Sequence, residues 1–293
     1  MPSIRLRARA ALLFSTLIWG TTFVIVQRAI ADLPVFHLMA IRFALAFLIL
    51  LPLARGVVWR QETFRQGAIL GLLLFAGFAL QNYGLLGTTP SRSAFLTGLS
   101  VVIVPFLGKL LGRTIPPGPA IGSIVAAAGL WVLFRPAAGG GGGAFTWGDG
   151  LTLASAFVFA VYVLAVEAAV AREPVRGLAI VQFGLISLLA APSLLLVPPT
   201  RAEFTEYALF AILATAVLAT AAAFLCQLYA QQHLSAVETG VIFSLEPVFA
   251  AAFSVALGVE LWNRQLALGG VLVVGAMLIT ELWGGAEEAR PPT

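Results

Sequence analysis

The sequence predicts an all-α integral membrane protein of about ten transmembrane helices, arranged as two inverted five-helix repeats. Three observations support this fold class. The 293 residues are 60% hydrophobic and only 10% charged, with a mean hydropathy of +0.99, which is more apolar surface than one soluble core can bury. The apolar residues fall into about ten runs of spanning length. Similar residues also recur, in the same order, in the two halves of the chain.

The apolar runs are each long enough to cross a bilayer as one helix. A helix rises about 1.5 Å per residue, so a span needs roughly 20 residues. Short breaks that hold proline and polar residues separate the runs, as at Asp32-Leu33-Pro34. The predicted helices cover residues 8–31, 34–54, 67–87, 90–111, 118–135, 149–171, 177–198, 207–231, 235–259 and 265–284.

The distribution of basic residues predicts the orientation. Of the 17 Lys and Arg residues, 11 fall in segments on the side of the N-terminus, five fall on the other side, and Arg42 lies inside a span. Because short cytoplasmic segments carry the excess of positive charge, both termini are expected in the cytoplasm, with the protein in a bacterial-type cell (inner) membrane. Gln27 and Arg28 precede the only plausible signal-peptide cleavage site and argue against cleavage.

A run of five glycines divides the chain almost in half. Residues 1–136 are predicted to form the first repeat, 137–148 a Gly-rich linker and 149–293 the second repeat. Each unit crosses the membrane an odd number of times, so the second must be inverted relative to the first. The matching segments are Ile41-Arg42-Phe43 with Val181-Gln182-Phe183, Gln81-Asn82-Tyr83 with Gln227-Leu228-Tyr229, and 93–98 with 235–240.

The pair Glu246-Pro247 lies near the middle of the predicted helix 235–259. A carboxylate in hydrocarbon is costly unless it is neutralised or paired, and proline removes a backbone donor. When the two halves are aligned, Pro247 matches Pro105. Central prolines in corresponding segments of two repeats are typical of the substrate region of a carrier.

Three titratable residues are candidates for coupling or for charge recognition. Glu246 is a candidate proton carrier, because a buried carboxyl can bind and release a proton near neutral pH; the alternative is that it only shapes the helix. His37 is a second coupling candidate, or an ordinary interfacial histidine. Arg42 is permanently charged and needs a partner. It either has a structural role, paired with Glu246 or with a cluster of backbone carbonyls, or holds a substrate carboxylate.

Uncharged polar groups and aromatic rings in the apolar runs complete the predicted site. A polar side chain in hydrocarbon must find a partner, either on another helix or on a solute. Positions 19, 22 and 23 share one face of the first helix. The predicted substrate-binding residues are Trp19, Thr22, Phe23, Arg42, Gln81, Asn82, Tyr83, Phe95, Tyr162, Gln182, Gln227 and Ser244. Helix-to-helix packing is the alternative role for each of them.

Several other classes of protein lack their sequence signatures here. His37 and His233 are far apart and have no acidic neighbours at metal-ligand spacing. No Gly-rich phosphate-binding loop precedes a lysine, and basic residues form no dense patch for nucleic acid. The single Cys226 allows no disulfide within the chain. We therefore expect no enzyme activity, metal or cofactor, and as partners only lipid and a small-molecule substrate, in a monomer or weak dimer.

Five motifs in order resemble the drug/metabolite transporter superfamily, and specifically its EamA-type members: 19–24 (WGTTFV), Arg42-Phe43, Glu246-Pro247, 258–260 (GVE) and the glycines at 269, 270 and 275. The chain is similar to the bacterial aromatic amino acid exporters of that family, which often have Trp where this chain has Phe159. The resemblance implies export of small metabolites, most often aromatic or neutral amino acids, by alternating access through a cavity between the repeats. Export of another organic solute or drug, or a channel or receptor function, is the alternative.

Overall fold

The computed structural model describes residues 4–110, 112, 117–134, 144–197, 203–234 and 236–288. Nearly all of these residues are helical, and none of them forms a β-strand. The protein is therefore all-α across the part of the chain that the structure describes. Residues 137–143 of the predicted linker lie outside this part.

Prolines and caps set the helix boundaries in the first half of the chain. Pro90 is in the first turn of its helix, where its missing N–H is not needed, and the backbone N–H of Arg92 donates to the Thr89 hydroxyl at 3.4 Å. The helices are α1 (Ile4–Asp32), α2 (Val35–Leu50, continued by a 3₁₀ turn over Leu51–Ala54), α3 (Gln61–Gly84), α4 (Pro90–Gly98), α5 (Ser100–Leu110) and α6 (Pro117–Phe134).

The second half opens with a capping box. The backbone N–H of Asp149 donates to the Thr146 hydroxyl at 3.1 Å, and the Thr146 N–H donates to Asp149 Oδ2 at 2.8 Å. A π-helical segment, Thr215–Ala222, joins α10 to α11. The helices are α7 (Trp147–Val170), α8 (Val175–Ala190), α9 (Pro192–Leu196), α10 (Glu206–Ala214), α11 (Ala223–Gln231), α12 (Ala236–Phe243), α13 (Glu246–Ala256) and α14 (Arg264–Glu288).

The length and hydropathy of the helices make this an integral, multi-pass membrane protein. Seven helical segments of the described chain are long and apolar enough to cross a bilayer. Three shorter apolar helices accompany them, over Ala120–Leu133, Glu246–Ala256 and Arg264–Thr280. Many large apolar side chains, such as Leu195 and Leu261, are exposed on the outer surface, as contact with lipid requires.

Two runs that the sequence predicts as single helices each contain an interruption, although Pro90–Leu110 remains one helical span of 21 residues. The run 90–111 is interrupted at Leu99, between α4 and α5. The run 235–259 is interrupted between α12 and α13, where the Leu245 N–H turns back to the Ile242 carbonyl at 3.1 Å. The physical reason is Pro247, which has no N–H to continue the helical ladder and instead lies in the first turn of α13.

The two halves of the chain interlock rather than lie side by side. Helix α1 packs on α11 and on the broken helix α12–α13, whereas α7 packs on α3 and on the broken helix α4–α5. Helix α2 packs on α8, and α6 on α14. A Cβ added at Gly122 of α6 would lie 2.8 Å from the Ala276 carbonyl of α14, so these two helices touch backbone to backbone. The contacts of α1 with the second half therefore have counterparts in the contacts of α7 with the first half.

Candidate functional site

A cavity lies at the centre of the protein, where the two halves meet. Helices α1, α3, α7 and α11 form its walls, and the breaks in α4–α5 and α12–α13 open onto it. The lining residues are Trp19, Thr22, Phe23, Leu74, Phe78, Gln81, Thr97, Ser100, Phe159, Tyr162, Val163, Phe224, Gln227, Phe243 and Glu246.

Aromatic rings make up much of the cavity wall and hold one another in place. The Trp19 ring centroid is 4.9 Å from that of Phe224 and 5.8 Å from that of Phe243. Phe78 meets Phe224 edge to face at 6.1 Å. The indole N–H of Trp19 donates to the Ala219 carbonyl at 2.9 Å, which fixes the orientation of the ring. Such tilted and edge-to-face contacts give a stable apolar surface that fits a flat, apolar group.

Polar groups interrupt the aromatic wall at a few positions. Gln81 Nε2 donates to the Thr97 hydroxyl at 3.1 Å, and the Tyr162 hydroxyl donates to Gln182 Oε1 at 3.1 Å. Gln227 Oε1 is buried and accepts no hydrogen bond from the described residues. Glu246 is the single charged residue among the described residues that line the cavity. A few polar groups in an apolar cavity are typical of small-molecule sites, where they fix the orientation of the ligand.

The structure brings about half of the predicted site residues to this cavity. Trp19, Thr22, Phe23, Gln81, Tyr162 and Gln227 line it, as does the coupling candidate Glu246. Gln182 is fully buried and supports the Tyr162 hydroxyl from the second layer. Whether these residues bind substrate stays a prediction.

The other predicted residues lie away from the cavity. Tyr83 is 38% exposed, and its ring packs edge-on against Phe36. Asn82, Phe95, Ser244 and His37 are buried. The Phe95 ring lies against Gly270 of α14, and the Ser244 hydroxyl donates to the Gly240 carbonyl at 2.9 Å. These positions indicate roles in packing.

Arg42 also lies outside the cavity. Its Nε donates to the Thr220 hydroxyl at 2.6 Å, and its Cζ is 4.9 Å from the centroid of the Phe78 ring. Phe78 lines the cavity, so the guanidinium occupies the layer behind this ring. No ion pair joins Arg42 to Glu246, both of which the structure describes. The intramembrane cation is therefore held by a hydroxyl and an aromatic face instead of the intramembrane acid.

Half of the lining residues were not selected from the sequence. The repeat offered a signal for two of them, because Phe159 and Val163 follow the predicted residues Trp19 and Phe23 by 140 residues. No sequence signal distinguishes the rest, because their exposure to the cavity depends on helix rotation and on the helix breaks. The unselected lining residues are Leu74, Phe78, Thr97, Ser100, Phe159, Val163, Phe224 and Phe243.

A multi-pass helical bundle around a central cavity is the architecture of membrane carriers. Comparison with known proteins agrees: the sequence model of the EamA-like transporter family matches residues 7–135 and 146–281. The chain belongs to this family, which confirms the resemblance to EamA-type members of the drug/metabolite transporter superfamily. It is a small-molecule transporter.

Two further similarities cover nearly the whole chain. It is 30% identical over 279 residues to an uncharacterized transporter of Archaeoglobus fulgidus, which covers 95% of this chain and 87% of the relative. A protein with a solved crystal structure is 22% identical and superposes with a TM-score of 0.71, covering 96% of this chain and 99% of the other. The fold is therefore shared with that crystallised protein.

Proposed function

We propose that the protein is a secondary transporter that exports small organic solutes by alternating access, with aromatic and neutral amino acids as the leading substrate class. The observation that carries this proposal is the central cavity. Its aromatic walls suit an apolar side chain, and its amides suit polar groups. The cavity also lies at the seam between the halves, which is the usual place for the substrate of a carrier built from repeats.

Within this proposal, the seven long helices and the three shorter apolar helices are ten spans in two inverted repeats, residues 1–136 and 149–293. The exchange of packing partners between the halves supports a two-fold relation. The cavity supports it as well, because several lining residues come in pairs at a nearly constant separation in sequence. The pairs are Trp19 and Phe159, Thr22 and Tyr162, Phe23 and Val163, Phe78 and Phe224, and Gln81 and Gln227.

Alternating access needs contacts that can open on either side of the cavity. At the end of the bundle opposite the N-terminus, Arg92 of α4 donates to Asp149 of α7 at 2.6 Å. At the N-terminal end, the Thr63 hydroxyl of α3 donates to Glu173, which follows α7. Both contacts join the two halves, at opposite ends of α7. We propose that they break and form in alternation as the cavity opens to each side.

Glu246 is the proposed coupling residue, since it is the acid that lines the cavity. His37, the other candidate, lies in the first turn of α2 and away from the lining, so we assign it a structural role. We propose a bacterial-type inner membrane location with both termini in the cytoplasm, and a monomer or weak dimer without a cofactor.

Reconstitution into liposomes tests this function. Labelled aromatic and neutral amino acids should enter in a saturable way, and unlabelled solute inside the liposomes should accelerate their entry by counterflow. Imposing a pH gradient should increase the flux in the wild type but not in Glu246→Gln, with Glu203→Gln, an exposed acid outside the cavity, as the control. Flux that does not saturate and shows no counterflow would indicate a channel, and gradient dependence in Glu246→Gln would remove the coupling role.

A further inference from the structure

Several hydrogen-bond donors of the cavity wall are already used by the protein itself. The Trp19 indole N–H donates to the Ala219 carbonyl at 2.9 Å, and the Thr22 hydroxyl donates to the Trp19 carbonyl at 2.7 Å. The Tyr162 hydroxyl donates to Gln182 at 3.1 Å. A carboxylate only accepts hydrogen bonds. Among the described lining residues, the donors left for it are uncharged amides and hydroxyls.

The charged group of the cavity wall is an acceptor. Glu246 lines the cavity, and no described side chain donates to its carboxylate or forms an ion pair with it. A carboxylate without a partner is costly in apolar surroundings. A ligand that brings positively charged N–H donors would relieve this cost.

The charges around the cavity favour a cationic ligand. Among the described residues, none of the basic side chains lines the cavity. Arg42 is held behind the Phe78 ring by Thr220, and Arg92 is paired with Asp149 at one end of the bundle. The single lining charge is thus negative. The faces of the surrounding aromatic rings also attract cations, because their π-electrons are negative.

We infer that the cavity recognises a protonated amine carried by a flat apolar group, and that it offers no ionic partner to a carboxylate. This inference rests on the proposed function and narrows its substrate class: an arylalkyl ammonium should bind better than the amino acid with the same side chain. Glu246 is the specificity-determining residue. An ammonium can donate charge-assisted hydrogen bonds to its carboxylate.

A matched ligand series tests the inference on the purified full-length protein. The series is phenethylamine, phenylalanine, phenylethanol and phenylpropionate, which share the ring and differ in the ammonium and the carboxylate. Dissociation constants are measured by calorimetry. We expect phenethylamine to bind about tenfold more tightly than phenylalanine or phenylethanol, as one charge-assisted hydrogen bond would give. Phenylpropionate should bind most weakly.

In the variant Glu246→Gln, phenethylamine should bind no more tightly than phenylethanol. Glu203→Gln removes a negative charge from an exposed position and should keep the full preference for the amine. The comparison of ligands within each variant remains informative even if a substitution lowers the amount of folded protein.

The inference would be overturned if phenylalanine or phenylpropionate bound as tightly as phenethylamine, or more tightly. It would also be overturned if Glu246→Gln kept the preference for the amine. The liposome assay separates this failure from failure of the transport function. Saturable exchange of phenylalanine without any preference for the amine would leave the proposed function standing. If neither amines nor amino acids cross, the proposed function fails as well.

Discussion

The two broken helices of the protein, α4–α5 in the first half and α12–α13 in the second, are similar in position but differ in chemistry. Both open onto the central cavity, the first through Thr97 and Ser100 and the second through Phe243 and Glu246. The first break is at Leu99, well before the proline of that segment. The second break comes directly before the Glu-Pro pair.

The corresponding prolines have different structural roles. Pro247 begins α13, where its missing N–H is not needed. Pro105 lies inside α5, where it removes one hydrogen bond of the helix. The residue that precedes Pro105 is Val104, at the position that Glu246 has in the second half. The broken helix with its proline thus occurs in both halves, whereas the charged group of the cavity is present in one half alone.

The two broken helices are also held in different ways. The start of α4 is tied to α7 by the ion pair of Arg92 with the buried Asp149, 2.6 Å long. The start of α13 is held by close packing, because a Cβ at Gly20 of α1 would lie 2.9 Å from the Glu246 carbonyl. An ionic tie can separate and re-form, whereas close backbone packing tolerates little movement. We therefore expect α4 to move relative to α7 more than α13 moves relative to α1.

The largest effect is expected from Asp149→Ala, which removes the tie of the first broken helix. Asp149 is fully buried and also accepts hydrogen bonds from Thr88 and from Thr146. Breaking a buried charge pair costs about 3–5 kcal/mol, so thermal unfolding in detergent should shift to clearly lower temperature. Asp149→Asn keeps one acceptor oxygen and should lose less. A variant as stable as the wild type would mean that the ion pair between Arg92 and Asp149 does not stabilise the contact of α4 with α7.

A smaller loss of stability is expected from Gly20→Ala, which disturbs the second broken helix. The added Cβ would lie 2.6 Å from the Phe249 Cβ and 2.9 Å from the Glu246 carbonyl, and a backbone atom cannot move aside easily. Overpacking of this kind costs about 1–3 kcal/mol. The corresponding residue of α7 is Ala160, whose Cβ is already accommodated, and Ala160→Gly should cost at most about 1 kcal/mol. Unfolding curves of both variants measure their losses of stability. Equal losses in Gly20→Ala and Ala160→Gly would contradict this expectation.

The smallest effect is expected from Thr97→Val, which removes the acceptor of the Gln81 amide in the first broken helix. The loss should be about 1 kcal/mol in the free energy of unfolding. Thr239 is the corresponding residue of the second broken helix, α12–α13. Its buried hydroxyl has no hydrogen-bond partner among the described residues. Thr239→Val should therefore be neutral or slightly stabilising. A larger loss at Thr239 than at Thr97 would reverse the comparison.

Many features of the protein could be predicted from sequence because they depend on local hydropathy and on motifs. The apolar runs identify a multi-pass membrane protein, since hydrocarbon accepts only segments that satisfy their own backbone. The motifs around Trp19 and Glu246 identify the family, which the family match over both halves confirms. The same motifs contain residues that line the cavity.

The tertiary structure decided which side of each helix faces the cavity, as the consecutive residues Gln81, Asn82 and Tyr83 illustrate. All three were predicted site residues, yet the first lines the cavity, the second is 2% exposed in the interior, and the third is 38% exposed. Neighbouring residues on a helix point about 100° apart, and hydropathy does not fix the rotation of a helix that is apolar on every side.

The position of the Arg42 side chain relative to the cavity could likewise not be predicted from the sequence. A buried cation needs a partner, and the sequence was compatible with an acid, a carbonyl group or a substrate in that role. The partner is the Thr220 hydroxyl, 178 residues away in sequence, and Phe78 separates the guanidinium from the cavity. The sequence by itself determined that the membrane interior holds one buried cation and one central acid. Only the packing of helices from both halves decided that the acid lines the cavity and the cation does not, because that choice depends on contacts between residues distant in the chain.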